Sequence, residues 1–338
     1  MKAIFLSVVI VAKNEEKNIV RCITSVLAGT VNLPATEVLL VDSFSTDGTV
    51  AMACRYPIGI IQLQKEWPHS PAAGRFAGVN NTAGKYVLII DGDMELLPGW
   101  LDRALGFMEN HPNVAAVVGK NYDVYDKGSG VFAPPRLGRN SLVSGEVACQ
   151  VDYVFESSLF RRQSLQEAGN FQPFLRAEEE AEISHRLRLN GHELYYLPFP
   201  AVHHYTQKRN SLKETRRRTR ARLHAGIADL VSLGLRGGNF SLVWGRCRIY
   251  FLFAAMLGLG LAMVAGGLLW RKHGFVLGGA LLLPAYVLWM AVKKKSVPEA
   301  VAVTLDKTIV VANFFPALFR KLKRAADYPR DVLWIKSI

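Results

Sequence analysis

The sequence predicts an α/β, Rossmann-like domain followed by a two-helix transmembrane hairpin and an amphipathic C-terminal helix. Three observations predict it. Short, continuously apolar runs alternate with helical periodicity up to about residue 120; two uncharged stretches of 22 and 19 residues lie near the C-terminal end; and a dense cationic belt stands between the two regions. With 338 residues, half of them hydrophobic and one-fifth charged, the chain is too apolar for disorder and too irregular in period for a coiled coil.

The first region reads as strands at Phe5 to Ala12, Val38 to Asp42, Ile58 to Leu63, Tyr86 to Asp91 and Val114 to Val118, each an unbroken apolar run of the kind that parallel sheets bury on both faces. Between them, Glu16 to Leu27, Pro71 to Thr82 and Pro98 to Asn110 have helical periodicity, the last opening on proline. Met1-Lys2 and the apolar run behind it imitate a signal peptide, but Lys13-Asn14-Glu15-Glu16 comes next with no cleavage site, so a buried first strand is expected. From 120 to 175 the pattern weakens, with Gly128-Ser129-Gly130 and Pro134-Pro135 marking loops. Helical signal returns at Glu178 to Leu189 and stops at Asn190-Gly191.

Of the net +13, +7 lies between Tyr205 and His224, where Lys208, Arg209, Lys213, Arg216, Arg217, Arg218, Arg220 and Arg222 face one acid, Glu214. Such a belt suits nucleic acid or an anionic membrane surface, and the apolar segments C-terminal to it decide between them. Ile249 to Trp270 and Gly274 to Val292 are each long enough to cross a bilayer as a helix. Arg271 and Lys272 are the two fixed charges of the connection, against many more at the outer ends, which places both ends in the cytoplasm. The belt also lacks the interleaved aromatics of a nucleic-acid binder. Ala300 to Arg324 is apolar but interrupted by Asp306 and Lys307, as expected of an interfacial helix. Cys22, Cys54, Cys149 and Cys247 show no metal spacing and read as reduced thiols.

Asp91-Gly92-Asp93 stands at the carboxyl end of a strand, where open α/β sheets bind ligands. Two carboxylates one residue apart, with a glycine that lets a ligand approach, suit a hard divalent ion bridging to a diphosphate; in isolation the same triplet is a solvated turn. Asp42 ends another strand and suits hydrogen bonds from a base or ribose, while Ser45 to Gly48 read as turn and cap chemistry. Lys13-Asn14-Glu15-Glu16 reads either as polar groups at the same sheet edge or as a plain helix start.

In this order the blocks resemble the glycosyltransferases of family 2, which have the GT-A fold. The likeness is carried by Val8-Val9-Ile10-Val11-Ala12-Lys13-Asn14-Glu15-Glu16, by Val41-Asp42-Ser43-Phe44-Ser45-Thr46-Asp47-Gly48-Thr49, by Arg75, and by Ala83-Gly84-Lys85-Tyr86 leading to Asp91-Gly92-Asp93. It continues through Phe160-Arg161-Arg162, Ala168-Gly169-Asn170-Phe171 and Glu179-Glu180-Ala181-Glu182-Ile183-Ser184-His185-Arg186 to Pro198 and His204, covering about residues 4 to 222.

The resemblance implies that Asp42 and Glu15 contact the nucleoside with the Ala12 backbone beside it, and that Arg75 and Asp91 complete a nucleotide-sugar site. It implies that Asp93 and His204 bind Mg²⁺ or Mn²⁺ and that Glu180 deprotonates the acceptor hydroxyl, which on the face opposite a diphosphate leaving group means inversion. The choice among Glu178, Glu179 and Glu180 stays open, as does His203 against His204. Lys13 and Val11 depart from the family's tyrosine and proline, so the base need not be uracil. The processive signature Q-x-x-R-W is absent from the sequence, which implies addition of a single sugar. Arg216, Arg217, Arg218, Arg220 and Arg222 are candidates for anionic lipid headgroups or acceptor phosphates.

The expected organisation is a nucleotide-sugar half at 1–120, an acceptor half at 121–222 with the belt from about 205, a juxtamembrane linker at 223–248, the hairpin at 249–292 and an interfacial helix and tail at 293–338. The expected protein is an inverting, metal-dependent glycosyltransferase of the cytoplasmic membrane, multi-pass, with its catalytic domain in the cytoplasm. Its partners would be a nucleotide-diphosphate sugar, a glycan or polyprenyl-linked acceptor and anionic lipids, without nucleic acid, in cell-envelope glycan synthesis. The competing expectations are an inactive membrane scaffold of the same fold and a nucleotidyltransferase; the latter would want a Gly-rich basic loop where Lys13 to Glu16 is acidic.

Overall fold

The computed structural model describes residues 3–125, 147–206 and 212–337; the predicted loops at Gly128 to Gly130 and Pro134-Pro135, and Lys208, Arg209 and Ser211 of the belt, lie outside them. The described chain divides into two compact units, one formed by Met1–Gln207 with Lys323–Ile338 and the other by Lys208–Leu322.

The first unit is built on a mixed α/β sheet. Strand β1 (Leu6–Ala12) is buried at every position, and it is followed by α1 (Ile19–Thr30), β2 (Thr36–Asp42), α2 (Thr49–Ala53), β3 (Gly59–Gln62), α3 (Pro71–Asn80) and β4 (Tyr86–Asp91). Strands β3, β2, β1 and β4 lie side by side and parallel, with Ala12 opposite Asp42 and Val11 opposite Asp91, so their carboxyl ends form one edge. A short β5 (Met94–Leu96), α4 (Trp100–Asn110) and the long β6 (Val114–Tyr125) lead to β7 (Cys149–Gln150), β8 (Leu159–Arg161), α5 (Arg162–Glu167), α6 (Glu179–Leu189) and β9 (Glu193–Thr206). Strand β8 runs antiparallel between β4 and β6, and β9 pairs with both β6 and β5. Two apolar clusters hold the sheet, one on each face: Val8, Ile10, Leu40 and Ile90 belong to one, and Val9, Val41, Ile89 and Phe76 to the other.

The second unit begins with α7 (Leu212–Arg220), α8 (His224–Arg236), α9 (Phe240–Leu269) and α10 (His273–Lys294). The last two are long and apolar enough to cross a membrane, and only 17% and 6% of their most apolar windows are buried, unlike core helices of a soluble protein. Their backbones meet at Gly260 and Gly279, where a Cβ on Gly279 would stand 2.5 Å from the Gly260 carbonyl oxygen. The segment expected as a juxtamembrane linker, 223–248, carries α8 and the first turns of α9, which starts nine residues before Ile249 and carries Arg246 and Arg248, because helix geometry continues past charges that end an apolar run.

The expected interfacial helix is two pieces, α11 (Val297–Ala312) and α12 (Phe314–Phe319), and it stops short of Lys321 to Arg324. Inside this unit, Asp306 of α11 accepts from His224 Nε2 at 2.6 Å and pairs with Arg218 Nη1 at 3.1 Å. The two residues that interrupt the apolar pattern of α11 are thereby accounted for, since Lys307 donates to the Tyr286 hydroxyl at 2.7 Å.

The tail from 323 returns to the first unit, where β10 (Leu333–Lys336) adds antiparallel to the β3 edge.

Candidate active site

The site is built where three parallel strands end together. Ala12 is buried and its carbonyl accepts from Ser43 N–H at 2.8 Å, while Gly92 N–H donates to the Val11 carbonyl at 2.8 Å. A Cβ at Gly92 would lie 2.8 Å from the Ala12 Cβ, so the glycine is required by the close approach of β1, not to admit a ligand.

Asp42 is fully buried. Its Oδ2 accepts from Ser45 N–H at 3.0 Å and Gln62 Nε2 at 2.8 Å, and its Oδ1 has no hydrogen-bond partner among the described residues. A buried oxygen left open costs free energy unless something else completes it, so Asp42 Oδ1 can accept a further hydrogen bond.

The choice between site and helix start for Lys13 to Glu16 divides by residue. Asn14 adopts φ 57° and its Oδ1 accepts from Thr46 N–H, and the Glu16 carboxylate accepts from Gly48 N–H, so these two staple the β1 loop to the β2 loop. Helix α1 accordingly starts at Ile19 rather than Glu16. Glu15 instead stands half-buried beside Gly92, and burial, countered in part by the Asn18 amide, raises its pKa to about 7. A raised carboxyl gives stability that is full below its unfolded pKa and lost as the pH climbs through about 7. In protein free of nucleotide and metal, Glu15→Gln is therefore expected to raise stability at pH 8 by about 1–2 kcal/mol, allowing for solvent screening, with no gain at pH 4.5. Melting curves at the two pH values check this, and equal shifts at both would refute it.

Arg75 of α3 is 2% exposed and gathers three carboxylates: Nη2 lies 3.1 Å from Asp91 Oδ1, and Nη1 pairs with Glu179 and, at 2.6 Å, with Glu180. Burial works against its charge, but Glu180, Asp91 and Glu179 hold it firmly protonated. The carboxylates in turn are raised chiefly by desolvation, Glu180 most clearly, with Arg75 opposing. Glu179 is 5% exposed and Glu180 20%, while Glu178 takes the helix N-cap in a left-handed conformation at φ 70°. Of the three acids, Glu180 therefore combines proximity to Arg75 with an open side. Removing the guanidinium would leave a buried carboxylate cluster unpaired, so Arg75→Met is expected to cost about 3–5 kcal/mol of folding stability, read as a lowered melting temperature.

His204 settles opposite Met94, and its Nε2 lies 3.1 Å from Asp93 Oδ2 while its Nδ1 lies 3.0 Å from Asp123 Oδ1. Burial disfavours its charged form, but the bonds to Asp123 and Asp93 outweigh this and lift its pKa to about 10. His203 pairs in register with Glu95, 3.5 Å away, and is not the histidine brought to Asp93.

Asp93 Oδ1 is buried without a partner among the described residues. A carboxylate oxygen so placed, next to an imidazole oriented by a second carboxylate, fits a hard divalent ion that takes its remaining oxygens from substrate. Among the described residues, no group of three or more His, Cys, Asp or Glu side chains is arranged to enclose a metal by itself.

Sequence reasoning missed Asp123 and Glu156. The first is signalled faintly by the alternation of buried Asn121 and Asp123 along β6. Glu156 acts electrostatically on Arg75, Asp91, Glu180 and His204, yet sits outside regular structure with no motif around it.

In the second unit, Arg216, Arg217, Arg220 and Arg222 are exposed; Arg217 is paired with Glu214 at 2.8 Å, and half-buried Arg218 with Asp306. The belt is thus partly a packing device, and Arg218 is committed to α11.

The sheet thus has a parallel half and a mixed extension, with carboxylates gathered at the carboxyl edge. The chain carries a glycosyl transferase family 2 domain, matched over residues 7–169. It is 31% identical over 104 residues to the glycosyltransferase AglE of Haloferax volcanii, an alignment covering 30% of this chain and 34% of that relative. The chain thus matches about a third of the length of that curated relative. Among solved structures, the fold is similar to S. aureus TarS 1-349 in complex with UDP-GlcNAc, with TM-score 0.55, 16% identity, 99% of this chain and 100% of that one covered. It is also similar to GalNAc-T7 with UDP, GalNAc and Mn²⁺, with TM-score 0.50, 16% identity, 65% of this chain and 48% of that one covered.

Proposed function

We propose that the protein is an inverting, metal-dependent glycosyltransferase that moves one sugar from a nucleotide-diphosphate donor to an acceptor hydroxyl at the cytoplasmic face of a membrane. The observation that carries this reading is the single sheet edge at which buried Asp42, the Arg75-linked acids and the Asp93–His204 pair are presented together. Asp42 receives the nucleoside through its open Oδ1, with Glu15 and the Ala12 strand end beside it. Arg75 holds Asp91 at the ribose or diphosphate. Asp93 and His204 would hold Mg²⁺ or Mn²⁺, which neutralises charge developing on the departing diphosphate.

Glu180 takes the proton from the acceptor hydroxyl as that oxygen bonds to the anomeric carbon and the bond from carbon to the diphosphate oxygen breaks. Arg75 both orients this carboxylate and keeps the neighbouring acids from repelling the donor. With one base opposite the leaving group, the displacement is single and the anomeric configuration inverts.

Membrane placement is supported by α9 and α10, and a lipid-linked acceptor by the exposed arginines beside them in the same unit. Such an acceptor fits cell-envelope glycan synthesis. The test is nucleoside diphosphate release by detergent-purified protein from a panel of nucleotide sugars with Mg²⁺ or Mn²⁺. Release from one donor supports the reading. Silence across the panel, together with no thermal shift by nucleotide and metal, would favour an inactive scaffold.

A further inference from the structure

The segment after the membrane helices contributes to the first unit a residue that no motif announces. Tyr328 is 3% exposed, and its ring stands edge-on to three others: Trp67 at 5.7 Å, Phe76 at 5.7 Å and Phe174 at 5.6 Å between centroids. Its hydroxyl donates to the Pro68 carbonyl at 2.9 Å. Lys323 lies over Trp67 at 5.0 Å and closes the outer side. Farther along, Gln64 Nε2 donates to the Asp331 carbonyl, β10 pairs with β3, and Lys336 donates to the Cys54 and Tyr56 carbonyls. The tail is therefore held along its length, and Tyr328 is its deepest point.

What the ring touches gives it a role. Phe76 is next to Arg75 on α3, and Phe174 lies in the segment that runs into α6 and its Glu179 and Glu180. These are the two elements that bring Arg75 to Glu179 and Glu180. Ser70 joins them a second time: its hydroxyl caps α3 through Ala73 N–H and donates to the Pro173 carbonyl. The junction needs such support because α6 begins from a strained start, Glu178 at φ 70°, and carries three acids in its first turn. Aromatic edges packed on both elements resist rotation of either, since each ring presents a shaped contact instead of a merely apolar one.

We infer that Tyr328 is a positioning residue for the Arg75–Glu179–Glu180 cluster, fixing the 172–178 segment against α3 so that Glu180 meets the acceptor hydroxyl. The inference rests on the reading of Glu180 as the base. Displacing a reacting group by about 1 Å costs on the order of 10²-fold in rate. Asp42, Asp91, Asp93 and His204 come from β2, β4, the β4–β5 turn and β9, none of which carries a ring neighbour of Tyr328, and Arg75 keeps its two bonds to Asp91 when the 172–178 segment loosens, so nucleotide binding should be spared.

The experiment uses the full chain in detergent, with Tyr328→Phe, Tyr328→Leu and Tyr328→Ala beside Glu180→Gln. Amide hydrogen exchange is monitored over 172–182, UDP affinity is measured with Mn²⁺, and donor turnover is split into kcat and KM. The expected result for the Leu and Ala variants is faster exchange at 172–182 and a kcat lowered about 30- to 100-fold, with KM and UDP affinity within about threefold; Tyr328→Phe keeps the rings and should stay within about threefold throughout. Unchanged exchange at 172–182, or UDP affinity falling in step with kcat, would overturn the role given to Tyr328. A fully active Glu180→Gln overturns the assignment of the base instead, so the two failures are separable.

Discussion

Asp93→Ala is expected to lower nucleoside diphosphate release by about 10²–10³-fold and to flatten its response to Mg²⁺ or Mn²⁺, an effect of several kcal/mol on the transition state. The reason lies in how the two acids of the Asp91-Gly92-Asp93 turn are used. Asp91 already faces a fixed cation, with both of its oxygens within 3.3 Å of Arg75. Asp93 has one oxygen on His204, whose ring Asp123 also holds, and another that is buried with no partner among the described residues, so of the two acids it is the one with an oxygen still open to a further positive group. Asp93→Asn keeps the shape and removes the charge, and should be nearly as impaired as alanine. Asp123→Asn acts one step further out, through the orientation of His204, and a loss of about 10–100-fold is expected in apparent metal affinity. Metal titrations of donor hydrolysis in all three variants check the ranking. An Asp93→Ala protein with unaltered metal dependence would remove Asp93 from the donor site.

The parts of this site that the sequence made legible are those tied to continuous burial. Strands β1, β2 and β4 lie in the middle of the sheet, so their residues are apolar without alternation, and the first polar residue that ends each run falls at the carboxyl edge. Asp42 and Asp91 could be found for that reason alone. Strand β9 was not legible, since it carries Pro198 and Pro200 and its register against β6 slips; the partnership of Asp123 with His204 depends on that slip. Strand β10 pairs with β3 at a separation of more than 260 residues in the chain, and no local pattern encodes such a contact. The belt shows the same division. Its charge is plain in the sequence, whereas the capture of Arg218 by Asp306 depends on α7 and α11 packing together within their unit.

Glu180→Gln is expected to lower turnover by about 10²–10⁴-fold, the range carried by a positioned general base, while nucleotide affinity changes little. Burial holds the Glu180 carboxyl above the usual carboxylate range, with repulsion from Glu179 and Glu156 adding to it and Arg75 opposing. Only the ionised form accepts a proton, so the wild-type rate should fall on the acid side at a pH higher than an exposed glutamate would give, and the fall belongs to the pair Glu179 and Glu180 jointly. The companion variant decides between them. Glu179→Gln removes a repelling neighbour and leaves Glu180 on Arg75, so activity should drop about tenfold or less and the acid limb should move to lower pH. The reverse outcome, with Glu179→Gln inactive and Glu180→Gln near wild type, would require an acceptor hydroxyl to reach a side chain only 5% exposed and pressed against Arg75. The geometry opposes that, because a base must lie within hydrogen-bond reach of the proton it takes, and of the two acids Glu180 has the open side.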